Sequence, residues 1–199
     1  MSEEVQKNII KKAGELFFRL GIRSVSIDDI CRELGISKKT FYVYFESKDE
    51  LIEHLLQANL RHMASKMEHL LFNKGLRSVV ADFTRRNQEK DDVRRVPQLV
   101  YDLKKYYPRQ FADFQHQSFE QQKRYIYSFL EKGIAEGLVR ADLNIELTSV
   151  LFAKIYADAL RDFEEMEAAG YNVTQLGHVA LDVMIRGVLS EEGMRLYKN

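Results

Sequence analysis

Apolar residues recur every three or four positions along most of the chain, which is the spacing that places them on one face of an α-helix. Residues 4–20 illustrate the pattern, because Val5, Ile9 and Leu16 share a stripe and Gly21 follows it as a helix terminator. No strict alternation of apolar and polar residues, the mark of a half-buried strand, persists anywhere in the sequence. The pattern therefore predicts an all-α fold of about nine helices.

Glycine, asparagine and proline residues interrupt the helical spacing and set the bounds of the other predicted helices. At 1.5 Å per residue, the helix that begins at residue 48 is long enough to connect two bodies. We therefore predict an N-terminal head over residues 1–47 and a larger C-terminal body over residues 48–199. The predicted helices after the first cover residues 27–34, 38–45, 48–72, 76–90, 97–107, 109–136, 145–168 and 173–189.

The second and third predicted helices are short and are separated by a tight turn at Gly35. Ser26 is a candidate N-cap with Asp29 as its capping-box partner, and Ser37 is placed to cap the next helix. Two short helices joined by such a turn form the helix-turn-helix arrangement, whose second helix enters the major groove of DNA. The sequence therefore predicts a three-helix DNA-binding head.

The second helix of this motif has an apolar and a polar face. Phe41 and Phe45 lie four residues apart and are expected to anchor the helix to the head. Lysines on the opposite face can contact phosphates or guanine edges, and hydroxyl groups can bond phosphate oxygens. Lys48 is expected to favour a phosphate at the start of the following helix. The predicted DNA contacts are Ser26, Ser37, Lys38, Lys39, Thr40, Tyr42, Tyr44 and Lys48.

The run from Thr40 to Leu51, TFYVYFESKDEL, resembles a signature of the TetR/AcrR family of bacterial transcription regulators. The preceding segment SIDDIC resembles that family's Thr-x-x-x-Ile-Ala, with Cys31 in place of the usual alanine, and Lys39 stands where many members carry glycine. The resemblance implies a homodimer that binds a palindromic operator. It also implies that a small molecule releases the protein from DNA.

The charge balance alone does not point to nucleic acid, because the whole chain has a formal net charge of +0. The first 48 residues carry only a slight excess of basic side chains, so the position of the lysines matters more than their number. A single cysteine excludes an internal disulfide and fits a reducing cytoplasm. The acidic N-terminus is unlike a signal peptide, and no apolar run is long enough to span a membrane. We expect a cytoplasmic protein.

Aromatic residues are concentrated between Tyr101 and Phe129. One interpretation is ordinary helical core with exposed tyrosines, and the other is the lining of an apolar ligand cavity between helices. Both remain open at this point, and the second predicts a hydrophobic or aromatic effector. The candidate ligand contacts are Met67, Phe83, Tyr101, Phe119, Ile126, Phe152 and Tyr156.

Small residues are mixed with aliphatic ones in the last two predicted helices, over residues 145–189. This mixture permits close helix approach, either within a bundle of one chain or across a dimer interface. The family resemblance favours the interface, in which two copies build a four-helix bundle about a two-fold axis.

Catalytic and metal-binding motifs find little support in the sequence. The histidines are not spaced as metal ligands, and no glycine-rich phosphate loop occurs, so we predict neither an enzyme nor a cofactor. The leading hypothesis is a ligand-responsive DNA-binding transcriptional regulator, specifically a repressor of a nearby operon. The alternative is an all-α carrier or sensor of small molecules whose helix-turn-helix no longer binds DNA.

Overall fold

The structure is a computed structural model that describes residues 2–69, 76–78, 80, 96–161, 166 and 168–198. Its described residues form helices joined by turns, with an isolated antiparallel bridge between Val139 and Leu189, which confirms the predicted all-α fold. The helices with defined bounds are α1 (Ser2–Leu20), α2 (Ile27–Leu34), α3 (Lys38–Tyr42), α4 (Lys48–Glu68), α5 (Val96–Tyr106), α6 (Pro108–Ala135), α7 (Ile145–Arg161), α8 (Val173–Val188) and α9 (Glu191–Lys198).

The third helix is shorter than predicted. It ends at Tyr42, and the prediction that it continues to residue 45 was wrong. The backbone N–H of Val43 bonds the carbonyl of Thr40, and that of Tyr44 bonds the carbonyl of Phe41, so the chain tightens into a turn. Most of the helix predicted over residues 76–90 lies outside the described residues.

A terminal helix, α9, follows the last one that the apolar pattern predicted. Ser190 begins it, because its side-chain oxygen accepts from the N–H of Gly193 at 3.1 Å. The pattern was missed because Gly193, a poor helix former, stands in its first turn. The buried Tyr197 fixes α9 to the rest of the chain.

The described residues divide into two compact units. The first contains the residues up to Arg61 and those from Val96 to Gln115. It has one continuous apolar core, to which Leu103 of α5 and Phe111 of α6 contribute beside the residues of α1–α4. This unit extends beyond the head predicted over residues 1–47, and the helices added to it bury further apolar surface in the same core.

The second unit contains the remaining described residues. Its buried apolar side chains form three clusters, centred on Leu76 with Leu138, on Val80 with Tyr197, and on Leu130 with Val188, and the partly buried Phe129 packs against all three. Within the described part of the chain, none of the helices combines the length and the hydropathy that crossing a membrane requires.

Candidate nucleic-acid interface

Helix α2 is fixed at both ends by local interactions. The side-chain oxygen of Ser26 accepts from the N–H of Asp29 at 3.2 Å, and a carboxylate oxygen of Asp29 accepts from the N–H of Ser26 at 2.9 Å. Hydrogen bonds from the Ser26 hydroxyl and backbone hold the pKa of Asp29 below its usual value. Gly35 ends the helix at φ +66°, a left-handed conformation that glycine adopts without strain. The predicted capping box is confirmed.

Helix α3 is anchored by the two phenylalanines that the sequence predicted as its inner face. Phe41 and Phe45 are buried, and their ring centroids lie 5.6 Å apart. Ile30 and Cys31 of α2 are buried in the same core. Burial raises the pKa of the Cys31 thiol, which therefore behaves as a small apolar side chain. This packing fixes which residues of α3 face solvent.

The exposed side of α3 carries most of the predicted contacts. Ser37, whose side chain caps the helix by accepting from the N–H of Thr40 at 3.0 Å, is exposed, as is Lys39. Tyr42 is 51% exposed, although its residue type usually buries more of its ring. Among the described residues Lys39 has no ion-pair partner, so its ammonium group is available to a phosphate or a base edge.

Lys38 forms an ion pair that joins the two helices of the motif. Its ammonium nitrogen lies 2.7 Å from a carboxylate oxygen of Asp28 on α2, and both side chains are exposed. The hydrogen bond with Asp28 raises the pKa of Lys38. DNA phosphates must compete with this carboxylate for the lysine.

Lys48, which the sequence analysis predicted to favour a phosphate, directs its ammonium group at backbone carbonyl oxygens. Its Nζ donates to the carbonyl oxygens of Ile22 and Val25, each at 2.5 Å, and lies 5.4 Å from the ring centroid of Phe17. Burial lowers the pKa of this half-buried lysine. The side chain therefore secures the turn between α1 and α2, and a phosphate would have to displace two hydrogen bonds to reach it.

Tyr44 also differs from the expected arrangement. It lies in the turn after α3 and packs, partly buried, against the core of the first unit. Its ring is therefore not on the same exposed face as Tyr42. The sequence pattern assigned it to that face because the helix was extended three residues too far.

Arg23 and Asp102, to which the sequence analysis assigned no role, form contacts beside the helix-turn-helix motif. The N–H of Arg23 donates to Asp102 Oδ2 at 3.2 Å, and the Arg23 guanidinium donates to the hydroxyl of Tyr106 at 3.2 Å. These contacts join the turn before α2 to α5. No local sequence signal indicates them, because the partners are about eighty positions apart along the chain.

The predicted ligand contacts are divided between the two units. Tyr101 belongs to the first unit, where its hydroxyl accepts from Lys105 at 2.8 Å and its ring lines a cleft of about 530 Å³ with Phe18, Leu20 and Tyr106. That cleft contains no other member of the predicted set.

The other described members belong to the second unit. Ile126 and Phe152 pack against the cluster around Leu130, which favours the core interpretation for both. Met67 and Phe119 are partly buried. Phe83 and the side chain of Tyr156 lie outside the described residues. In the described part of the chain, no cluster of histidine, cysteine or carboxylate side chains is arranged to hold a metal ion.

Comparison with known proteins adds to this geometry. The model of a family described as bacterial regulatory proteins, tetR family, matches residues 9–55, which contain α2, α3 and the start of α4. The uncharacterised HTH-type transcriptional regulator YuxN of Bacillus subtilis is 43% identical over 54 residues. That match covers 27% of this chain and 19% of YuxN, so the relative is matched over only a fifth of its length.

Two further proteins match most of the chain. The HTH-type transcriptional repressor KstR2 of Mycolicibacterium smegmatis is 20% identical over 193 residues, covering 93% of this chain and 91% of KstR2. The solved SmeT–triclosan complex shares the fold with a TM-score of 0.68 at 14% identity, covering 94% of this chain and 92% of the SmeT chain.

Proposed function

We propose that the chain is a repressor of the TetR family of bacterial transcriptional regulators, which binds a palindromic operator as a homodimer and is released by a hydrophobic small molecule. The observation that carries the DNA-binding part is the division of α3 into a buried and an exposed face. Phe41 and Phe45 are buried in the core, and the polar side chains opposite them are exposed to solvent.

The proposed reading set is smaller than the predicted one. Lys39 and Tyr42 contact DNA directly, and Lys38 joins them after exchanging its carboxylate partner for a phosphate. The hydroxyl-bearing residues at the helix starts, Ser26 and Ser37, and Thr40 contribute hydrogen bonds to the phosphate backbone. Tyr44 and Lys48 are left out, since both are committed to the interior of the first unit.

The binding experiment measures operator affinity as a function of salt concentration by fluorescence anisotropy. The duplexes are taken from the DNA upstream of the gene that encodes this chain. Lys39→Ala should weaken binding and lower the slope of log affinity against log salt by roughly 1, because one phosphate contact is lost. Lys66→Ala is the matched control, an exposed lysine of α4 in the second unit. Unchanged operator affinity of Lys39→Ala would show that a surface other than the exposed side of α3 contacts DNA. Absence of any wild-type binding would favour the carrier or sensor alternative.

The dimer is supported by apolar surface on α7 and α8. Leu147 is 66% exposed and Val183 is 63% exposed, and further exposed aliphatic residues lie three or four positions from each. Groups of exposed aliphatic side chains of this kind often mark surfaces where proteins associate. We propose that the stripe formed by Leu147, Val150, Leu151, Leu176, Val179 and Val183 is covered by the same stripe of a second copy.

The effector part of the proposal is supported by the fold shared with SmeT, whose solved complex contains triclosan. Met67 and Phe119, which are only partly buried, supply apolar side chains to the second unit that a hydrophobic or aromatic molecule can contact. Release requires that the effector bind the DNA-free conformation more tightly, so saturating operator DNA must weaken effector binding by the same factor. Triclosan and a panel of aromatic compounds, screened by thermal shift and titrated with and without operator, test this linkage.

The direction of regulation is supported by KstR2, which is named a repressor and matches most of the chain. A reporter gene placed behind the chain's own upstream region should be less active when the protein is produced. Lys39→Ala should restore reporter activity. Higher reporter activity with the wild-type protein would identify an activator instead.

A further inference from the structure

The turn between α1 and α2, residues 21–25, is held by two side chains from other parts of the first unit. Lys48 of α4 binds two of its carbonyl oxygens, and Asp102 of α5 accepts from the N–H of Arg23. The turn ends at Ser26, which caps α2 and is a proposed phosphate contact. The place where α2 begins therefore depends on both side chains.

Asp102 is buried, with 3% of its surface exposed. Its second carboxylate oxygen accepts from the side-chain amide of Gln98 at 3.1 Å, so both oxygens have partners. A buried carboxylate is costly unless hydrogen bonds and opposite charge compensate it. The compensation here comes from the Arg23 amide, Gln98 and the nearby charge of Lys48. Of these, Arg23 lies in the turn and Lys48 binds its carbonyl oxygens.

Gly21 lets the carboxylate approach the backbone of the turn. Its φ is +83°, and a Cβ at this position would lie 3.3 Å from Asp102 Oδ2. A side chain here would be strained and would press on the carboxylate. The sequence at this point therefore suits close contact between the turn and α5.

Packing on both sides of Asp102 fixes α5 to the head. The neighbouring Leu103 is buried in the same core as Phe41, and the guanidinium of Arg23 lies 5.6 Å from the ring centroid of Tyr106 while donating to its hydroxyl. The hydrogen bond to the Arg23 amide is therefore held in place by Leu103 and Tyr106 after Asp102 in the helix and by Leu99 before it, which packs against the same core.

We propose that Asp102 is a positioning residue for operator binding, which acts by fixing the turn that presents Ser26 and α2 to DNA. This inference rests on the proposed DNA-binding function. The matched family model ends at residue 55, so nothing in that match assigns a role to α5. On this proposal, helix α5 contributes to DNA binding without contacting DNA, because it fixes the turn before α2.

The sign of the effect separates positioning from simple electrostatics. Removing a carboxylate from a unit that binds a polyanion should strengthen binding if only charge matters. Positioning requires the opposite, because a loosened turn misplaces α2. Off-site changes of this kind commonly alter binding by roughly 2- to 30-fold.

The experiment compares Asp102→Ala, Asp102→Asn and Asp113→Ala in the full chain. Asp113, an exposed carboxylate on α6 in the same unit, is the matched control for charge. Operator affinity is measured at a temperature where circular dichroism shows each variant folded, which separates affinity from stability. We expect roughly tenfold weaker binding for Asp102→Ala with an unchanged salt slope, since no phosphate-binding cation is lost.

Asp102→Asn should lose less, roughly threefold, because its amide oxygen still accepts from the Arg23 N–H but carries no charge. Asp113→Ala should bind as well as wild type or slightly better. A folded Asp102→Ala that binds operator with wild-type or higher affinity overturns the inference and leaves the proposed function intact. If Asp102→Ala does not fold, Asp102→Asn decides in the same way. Wild-type protein without operator affinity rejects both proposals together.

Discussion

The two compact units cover their apolar helix faces in different ways. In the first, residues of every helix from α1 to α6 contribute to one core, and both ends of α2 are capped. In the second, the described residues form three smaller clusters, and α7 and α8 leave large aliphatic side chains such as Leu151 in solvent. The first unit has one shared core and a few isolated exposed apolar residues, whereas the second has two helices that each carry several exposed aliphatic side chains.

This difference indicates where each part of the function is encoded. In the first unit the groups best suited to contact DNA are a few exposed polar ones, Lys39 and Tyr42 foremost, although Leu20 and Val43 are exposed as well. In the second unit the exposed aliphatic side chains of α7 and α8 favour association over recognition of a polyanion. Substitutions should therefore affect stability, DNA affinity and assembly separately.

The largest effect on stability is expected from Phe41→Ala in the first unit. The side chain is fully buried, so truncation should cost roughly 3–5 kcal/mol in the free energy of unfolding. Tyr42→Ala, at the adjacent exposed position, should change stability by no more than about 0.5 kcal/mol while weakening operator binding. Urea denaturation followed by circular dichroism measures both. Equal destabilisation by the two variants would mean that the faces of α3 are assigned wrongly.

A smaller effect is expected from two glycines of the second unit that respond in opposite directions. A Cβ on Gly193 would clash with the carbonyl oxygen of Leu138, so Gly193→Ala should cost about 1–3 kcal/mol. Gly177, within α8, has no atom within 4 Å of such a Cβ, and Gly177→Ala should gain up to about 1 kcal/mol. Thermal unfolding of both variants checks the signs, and a stabilised Gly193→Ala would contradict the close packing of α9.

Tyr197→Phe tests the bond that ties α9 to α8. The buried hydroxyl donates to Asp182 at 2.6 Å, and its loss should cost about 1.5 kcal/mol. Hydrogen bonds from Arg186 and then Tyr197 lower the pKa of Asp182. A carboxyl group whose pKa is lowered by folding stabilises the folded state at pH values above its unfolded-state pKa. This stabilisation is lost as the pH falls through the folded-state pKa.

The stability difference between wild type and Tyr197→Phe should therefore be constant near neutrality and shrink in acid, below a pH of about 4. Denaturation at a series of pH values measures it. A difference that grows in acid would show that the hydroxyl does not stabilise the ionised carboxylate.

The smallest effect on stability is expected from Asp28→Asn, which breaks the exposed ion pair with Lys38. Exposed pairs of this kind contribute little to folding, so the melting temperature should not change measurably. Operator affinity should rise, because Lys38 is freed and a negative charge is removed from the reading surface. Weaker binding by Asp28→Asn would show that the pair positions Lys38 for DNA.

Features fixed by neighbours in sequence were predictable, and features fixed by distant partners were not. The capping box of Ser26 and Asp29 and the pair Phe41 and Phe45 depend on contacts three or four residues apart, which a helical pattern encodes directly. The position of Lys48 depends on carbonyl groups more than twenty residues earlier. Its sequence context alone suggested an anion site at a helix start.

The ends of helices illustrate the same limit. Tertiary packing of Tyr44 against the core accompanies the early end of α3, and the contact of Gly193 with Leu138 explains a glycine that hid α9 from the pattern. Asp102 gave no local signal, since its main partner lies 79 positions away. Such residues become visible only when the two segments are brought together.

The central claim, that the apolar stripe on α7 and α8 joins two chains and leaves the DNA-binding unit independent, is tested most directly by sedimentation velocity of Val183→Glu. Wild type and Tyr127→Glu, an exposed position on α6, are the controls. At micromolar concentration both should sediment as dimers. Val183→Glu should sediment as a single folded chain, because its charge would be buried without a partner in the interface. A dimeric Val183→Glu or a monomeric wild type would contradict the account.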